Sequence, residues 1–411
     1  MKVCVIGGGA AGMMCATMIG RKGHSVTLFE KNEKLGKKIY ITGKGRCNVT
    51  NVAVGNEFLK NVVGGKKFVM GAITRFNSAD TKAFFEDLDV PLKIERGGRV
   101  FPESDKSSDI IRALEKGMRW AGVTVNLNSA VQKICTEENG VSGVVVSDKF
   151  IPFDAVIVAT GGISYSSTGS TGDGYEFAKT LGHSIINPVP ALCAVKLKGN
   201  EPEQIEGLSL KNVMICAEEN GKQIFKSDVG EMLFTRHGIS GPIVLSMSSY
   251  INRADFSKLK IFIDFKPALS VDTLVLRINR EIAELKAKQV SSLLETLLPK
   301  SLVALFANRL GLKLESKANQ LDKESRKNLA ELLKRYEYVP QSLESFDQAV
   351  VTAGGVNLKE INPKYMKSKL YPNLYFIGEV LDIDALTGGF NLQLAFSTAV
   401  TCASDFKDLK A

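Results

Sequence analysis

Metal-ligating side chains are scarce in this sequence. Its 411 residues hold three histidines (His24, His183, His237), and the seven cysteines (Cys4, Cys15, Cys47, Cys135, Cys193, Cys216, Cys402) never fall in a Cys-x-x-Cys pair. No metal site is therefore expected. An odd, scattered set of thiols also argues against a disulfide framework and for free cysteines in a reducing, cytoplasmic compartment. No uninterrupted apolar run of about 18 residues occurs, so no membrane span is expected. Lys2 precedes an apolar stretch, as in a signal peptide, but the glycines that follow leave no small-residue cleavage site behind a plain apolar core.

What is present is the composition of a globular chain, with 44% hydrophobic and 24% charged residues. A length of 411 residues exceeds one ordinary core and implies two or three domains. The formal net charge of +9 and the pI near 9.0 favour anionic partners, an anionic cofactor among them.

The first thirty residues organise the rest. Lys2–Ile6 is a short apolar strand that runs into Gly7-Gly8-Gly9-Ala10-Ala11-Gly12, a helix-compatible stretch, a break at Gly23, a second apolar run from Val26 to Phe29, and Glu30. Gly7 permits the tight turn, Gly9 lets backbone approach a pyrophosphate, and Gly12 lets the helix pack on the sheet. The helix start, with Ala11 in its first turn, offers free N–H groups and a positive dipole end to the diphosphate. Glu30 lies eighteen residues past Gly12, where an acid accepts hydrogen bonds from a ribose 2′-OH and repels a 2′-phosphate. The pattern predicts an ADP-bearing cofactor, FAD or NAD rather than NADP.

From Lys31 through Lys38 to Thr42-Gly43-Lys44-Gly45-Arg46-Cys47-Asn48-Val49-Thr50-Asn51, glycines alternate with cations and small polar residues. Such a loop can wrap backbone and positive charge around phosphates or a ring system. The series GGGAAG, the acid at the second strand end, LGKKI and TGKGRCNVTN together resemble the NAD(P)/FAD-dependent oxidoreductase family of BaiN-like and YhiN-like flavoproteins and aminoacetone oxidases. The likeness extends over essentially the whole chain and implies FAD as the bound cofactor, with Lys31, Lys38, Gly43, Gly45, Arg46, Cys47 and Asn48 at it.

Residues 78–90 read as a capped amphipathic helix with Asp80 or Ser78 as N-cap. Glu95 to Pro102 is a tight turn whose Arg96 and Arg99 are candidate anchors for an anionic substrate. A helix over 108–121 and strands over 123–127 and 130–135 follow, and the resemblance places Val131 beside the adenine. The strand Ala155–Ala159 ends in Thr160 and Gly161, further cofactor candidates. The Gly-, Ser- and Thr-rich loop 164–174 does not repeat the spacing of the first turn and has no acid-terminated strand after it, so no separate nicotinamide domain is expected. NAD(P)H would then act as a transient reductant at the flavin face.

The texture changes after Pro188. Short β-compatible segments suggest a small barrel-like insertion over 191–270 and 336–349, while 271–335 shows apolar spacings of three and four and reads as helices. Thirteen Lys and Arg against eight Asp and Glu leave that helical span at +5. Within the insertion, 231–242 resembles a family signature, with His237 in a loop that could face a ligand and Arg236 beside it as a substrate-binding candidate. The chain returns at 350–411 to the domain begun by 1–190. There the resemblance implies that Gly378 and Glu379 lie at the cofactor, that Asp382 bonds the ribityl chain, and that Gly389, Asn391 and Leu392 meet the pyrimidine edge from the start of the final helix. The fold class expected is α/β: a Rossmann-type FAD-binding domain with an inserted β-barrel-like domain and a helical subdomain.

The chemistry expected is hydride transfer through FAD. The leading expectation is an NAD(P)H-dependent reductase of a conjugated C=C bond in a small cyclic enone of the 3-oxo bile acid or steroid type, with Cys47, Tyr165 or His237 as proton donor. The first alternative is a flavin-dependent rRNA uridine reductase, drawing on the basic charge and on Arg96 and Arg99. An amine oxidase and a non-catalytic flavin redox sensor are the others.

Overall fold

The computed structural model describes residues 1–138, 140–285 and 288–409, so Lys286 and Ala287 of the helical expectation and the last two residues of the returning segment lie outside the described residues. Two units are formed, Met1–Ala191 with Phe346–Ala411, and Leu192–Ser345.

The first unit is built on a sheet whose spatial order is Ile361–Asn362, Lys367–Ser368, Leu374–Phe376, Ala155–Val158, Lys2–Ile6, Ser25–Phe29, Thr124–Asn126. The last five are mutually parallel. Parallel strands covered on both faces read as continuous apolar runs, and Val3 to Ile6 and Ala155 to Val158 are all buried. The helix Ala10–Arg21 and the final helix Phe390–Ala403 lie against each other. Every parallel strand thus ends at one edge, the edge at which open α/β sheets bind ligands. The antiparallel pair Ile185–Ala191 and Val351–Val356 marks where the chain leaves this unit and returns.

One helix differs in detail from its sequence signal. It spans Ser78–Glu86, and its cap is Asn77 rather than Ser78 or Asp80. The Asn77 side chain accepts from the N–H of Ala79 at 2.7 Å and of Asp80 at 3.4 Å, and Asp80 accepts from the Asn77 N–H at 2.8 Å. Asp80 is the third helical position of a capping box, not the cap.

The second unit holds a curled antiparallel sheet in the order Tyr336–Tyr338, Leu259–Asp264, Ser209–Glu219, Gly230–Thr235, Gly238–Ser240, Val195–Leu197, Pro340–Leu343. The helices Val271–Leu285, Val290–Leu297, Lys300–Leu310 and Lys323–Lys334 share one hydrophobic core with it. The α/β class expected, a Rossmann-type domain interrupted by a β-rich segment with helices, is the one observed. Among the described residues no single helix is long and apolar enough to cross a membrane.

The final helix is held by a buried amide. Gln393 Oε1 accepts from the hydroxyls of Thr50 at 2.5 Å and Thr81 at 2.8 Å, while Nε2 donates to Phe76 O at 3.1 Å and to Ser397 Oγ at 3.0 Å. Every capacity of the amide is used, so the network fixes the rotation of the helix about its axis. Gln393→Ala leaves two buried hydroxyls without an acceptor. It is expected to cost about 2–4 kcal/mol, read as a lower urea midpoint by far-UV circular dichroism.

Candidate functional site

The glycine turn is dictated by space. Gly7 has φ +110°, and a β-carbon on it would meet Ala159 O at 2.6 Å. On Gly12 a β-carbon would lie 1.9 Å from Gly7 O, whereas on Gly9 it would meet nothing within 4 Å. The turn is sealed on its inner side and open at Gly9, as a diphosphate requires. Met13 N–H closes the first helical turn on Gly9 O at 3.0 Å, leaving the N–H groups before it for a ligand. Ala11 packs against Gly378, where a β-carbon would sit 2.9 Å from that of Ala11.

Glu30 is buried at the end of the second strand. Its Oε2 accepts from Gly8 N–H at 2.7 Å, and its Oε1 from the N–H and side-chain amide of Asn32 at 2.8 and 2.7 Å. The carboxylate pins the turn, a role the sequence reading missed, and keeps lone-pair capacity on Oε2.

A crevice beside this acid is lined by Gly7, Glu30, Lys31, Val131, Thr160 and Asp173 among others, which brings together five of the residues expected at a cofactor. Lys31 is anchored there by Thr171 Oγ1 at 2.5 Å and Asp173 at 2.7 Å. The Thr160 hydroxyl is buried without a partner among the described residues, and Gly161 beside it has φ +74°.

The loop after Lys38 is held in an uncommon conformation. Gly43, Lys44, Gly45 and Cys47 all have positive φ, at 57°, 58°, 84° and 60°. The Arg46 guanidinium bonds Asp105 at 2.6 and 2.8 Å, pairs with Glu95, and stacks 4.2 Å over the Phe101 ring. Hydrogen bonding to Arg46 holds the Glu95 carboxyl below its ordinary range, and Lys93 with Arg46 does the same for Asp105. Cys47 is fully buried, and burial pushes its thiol up to about 12, against a small opposing pull from Thr42. Asn48 Oδ1 is buried with no partner among the described residues.

Two further expected residues bond each other. Lys38 Nζ donates to Glu379 at 2.8 and 3.1 Å and to Ser164 Oγ at 2.7 Å, and Glu379 also accepts from Thr352 N–H at 2.8 Å. Both side chains are about a fifth exposed, and the pair ties the loop to the strand end at Gly378. The Asp382 N–H donates to Val356 O at 3.2 Å. Gly389, at φ +96°, precedes the final helix; a β-carbon there would meet Thr50 O at 2.3 Å and Asn48 Oδ1 at 2.9 Å. The Asn391 side chain is turned to backbone, bonding Ala385 N–H at 2.9 Å and Ala385 O at 2.7 Å. Leu392 is partly buried against the core of this unit.

Tyr165, half-buried with φ +55°, follows Ser164 directly. Arg96 and Arg99 are exposed on the turn between strands Leu92–Glu95 and Arg99–Pro102, with Arg99 Nε donating to Arg96 O at 3.0 Å. Arg236 and His237 belong to the second unit, exposed on the turn between Gly230–Thr235 and Gly238–Ser240, and Arg236 pairs with Glu203 at 3.3 Å.

The residues present fit a bound dinucleotide: an open glycine turn at a helix start, a buried strand-end acid, and beside it the Thr160 hydroxyl, which has no partner among the described residues. Fold and site define a Rossmann-type dinucleotide-binding protein of the flavoprotein class. The family described as HI0933-like protein Rossmann domain matches residues 1–405, and the chain belongs to that family. It is 30% identical to the 3-dehydro-bile acid delta(4,6)-reductase of Clostridium scindens over 97% of each chain. It is 31% identical to the ribosomal RNA dihydrouridine synthase of Haemophilus influenzae, over 97% of this chain and 96% of that one. Among solved structures, the 3-ketosteroid-delta4-(5alpha)-dehydrogenase of Rhodococcus jostii RHA1 superposes with a TM-score of 0.51 at 13% identity, covering 98% of this chain and 96% of that chain. At that identity the likeness is one of fold.

Gly12→Ala is expected to abolish adenine-dinucleotide binding and to lower stability, since the new methyl and Gly7 O cannot share the space; equilibrium dialysis and thermal unfolding check both. In native protein at pH 8, iodoacetamide is expected to alkylate the partly exposed Cys135 and Cys216 and to spare Cys47 until denaturant is added, as read by peptide mass spectrometry.

Proposed function

We propose that the chain is a FAD-dependent oxidoreductase that uses NAD(P)H to reduce a conjugated C=C bond in a small cyclic enone of the 3-oxo bile acid or steroid type. The observation that carries this reading is the bond shared by its full-length relatives. One is named for reducing a bile acid and one for making dihydrouridine, and both names describe saturation of a double bond conjugated to a carbonyl.

Bound FAD would supply the two-electron chemistry that no side chain offers. The chain's own groups bind, orient and protonate. The turn Gly7–Gly12 and the N–H groups of its helix take the diphosphate, and Glu30 accepts from the ribose. The N-terminus of Phe390–Ala403 favours negative charge on the pyrimidine side of the ring. The remaining requirement is a proton for the carbon next to the one that receives hydride. Tyr165 fits best of the three candidates: it is partly accessible and its backbone is fixed, while the Cys47 thiol has no exposed surface and His237 lies on an outward turn of the second unit. A neutral phenol donates and is restored from solvent.

A second reading, reduction of a uridine in rRNA, draws on the net charge of +9 and on exposed Arg96 and Arg99. Such binding falls steeply with salt. Rapid mixing of the NAD(P)H-reduced protein with an enone steroid, with a uridine-containing rRNA fragment and with oxygen separates the readings. Flavin reoxidation by the steroid is expected; reoxidation by oxygen alone sinks the proposal, and reoxidation by the RNA fragment transfers it to the second reading. Tyr165→Phe is expected to slow the oxidative step on the order of 10²-fold and to leave reduction by NAD(P)H unchanged.

A further inference from the structure

We propose that a second cleft on the first unit binds a small apolar carboxylate, with the Arg112 guanidinium taking its charged end. This cleft shares no lining residue with the crevice beside Glu30, so its ligand does not depend on the flavin reading.

The cleft encloses about 230 Å³ between the helix Ser107–Trp120 and the segment that follows the helix Ser78–Glu86. That segment reverses sharply. Asp89, at φ +65°, takes the position past a helix end that glycine usually holds, and Val90 N–H donates back to Phe85 O at 3.0 Å. Leu88 and Val90 on this turn and Ala113 on the helix are all buried, and with Pro91 they line the cleft. Part of its lining is therefore apolar and suited to a hydrocarbon body.

The rim is charged, and most of that charge is spent within the protein. Asp89 pairs with Lys116, and Asp109 accepts from Ser104 Oγ at 2.6 Å. The N–H groups of Leu88, Asp89 and Val90 are bonded to carbonyls of the preceding helix at 3.0 to 3.1 Å, and Pro91 has no N–H to give. Arg112 is different: its side chain is 77% exposed, and among the described residues its one polar contact is a 3.4 Å bond to Asp109. A guanidinium offers a planar fork of donors that matches a carboxylate in a bidentate pair. With both acids already engaged, the cleft selects an anion rather than a cation. Its volume falls below the roughly 300–1,000 Å³ of drug-sized sites, which limits the apolar body to a single ring or a short chain.

The protein carries its own reporter of occupancy. Trp120 is the single tryptophan of the chain. Lys116 Nζ sits 4.4 Å from the centroid of its ring, and Lys116 lines the cleft. An anion arriving beside Arg112 and Lys116 changes the field at the indole.

The test titrates the full-length protein with phenylacetate, acetate, the neutral phenylacetamide and inorganic phosphate, followed by Trp120 emission and by equilibrium dialysis. Phenylacetate is expected to bind saturably with a dissociation constant on the order of 1 mM or tighter. Acetate, which lacks the ring, and phenylacetamide, which lacks the charge, are expected to bind at least about tenfold more weakly. Arg112→Gln, at an exposed position, is expected to keep the thermal midpoint of wild type and to weaken phenylacetate about tenfold or more. Absence of saturable phenylacetate binding by wild type overturns the proposal. So does undiminished phenylacetate affinity in Arg112→Gln, or phosphate or acetate bound as tightly as phenylacetate, which marks a plain anion site without an apolar preference.

Discussion

The α-carbon of Gly12 rests on the carbonyl of Gly7, so closely that a β-carbon would lie 1.9 Å from the oxygen. That contact sets the angle at which the first helix leaves the first strand, and the angle decides where its N-terminus points. Gly7 in turn sits under Ala159, at the end of the neighbouring parallel strand, and Gly378 sits against Ala11, at the end of the next. Three strand ends and a helix start are fitted to one another through missing side chains. Adding one methyl group anywhere in this set forces backbone, not a mobile side chain, to give way.

Charge and hydrogen bonding then fix what packing has placed. Glu30 ties its own strand to the glycine turn and to Asn32. Lys38 and Glu379 tie the following loop to the far strand end, and Gln393 locks the final helix to Thr50, Phe76 and Thr81. Each of these residues is polar and each bond is internal. Thr160 Oγ1 is one of several buried groups without a hydrogen-bond partner among the described residues, and it lines the crevice beside Glu30.

Much of this was legible in the sequence, and the reason is local. Strand, glycine turn, helix and strand-end acid lie within thirty consecutive residues, and their spacing is imposed by steric rules that do not depend on the rest of the chain. Partner choice was not legible. Lys38 and Glu379 are 341 residues apart, Arg46 and Glu95 are 49 apart, and nothing in either stretch announces the other. Arg46 read as a group for an anionic cofactor, and its pairing with Glu95 and Asp105 and its stacking on Phe101 were not announced by the sequence. The cap of the helix Ser78–Glu86 is a smaller case: Asn77, Ser78 and Asp80 are all capping residues, and the useful signal was the acid three positions after Asn77. Gln393, in an apolar run, gave no warning that it gathers four partners.

The first unit is assembled from two separated stretches of chain, and Leu192–Ser345 intervenes between them. During synthesis the inserted unit is contiguous and has its whole core on hand by the time residue 345 has emerged. The sheet that started first must wait: strand Leu374–Phe376, the Gly378 buttress and the entire final helix leave the ribosome only after the inserted unit. Until then the neighbouring strand Ala155–Val158 is an unpaired edge, and the side of the first helix that packs on the final helix is uncovered, while the helix Ser107–Trp120 already lies against it. The nascent protein therefore carries its oldest segment in its least protected state for the longest time. A nucleotide would find the cradle complete only once those segments have emerged, which joins ligand capture to completion of this unit's fold.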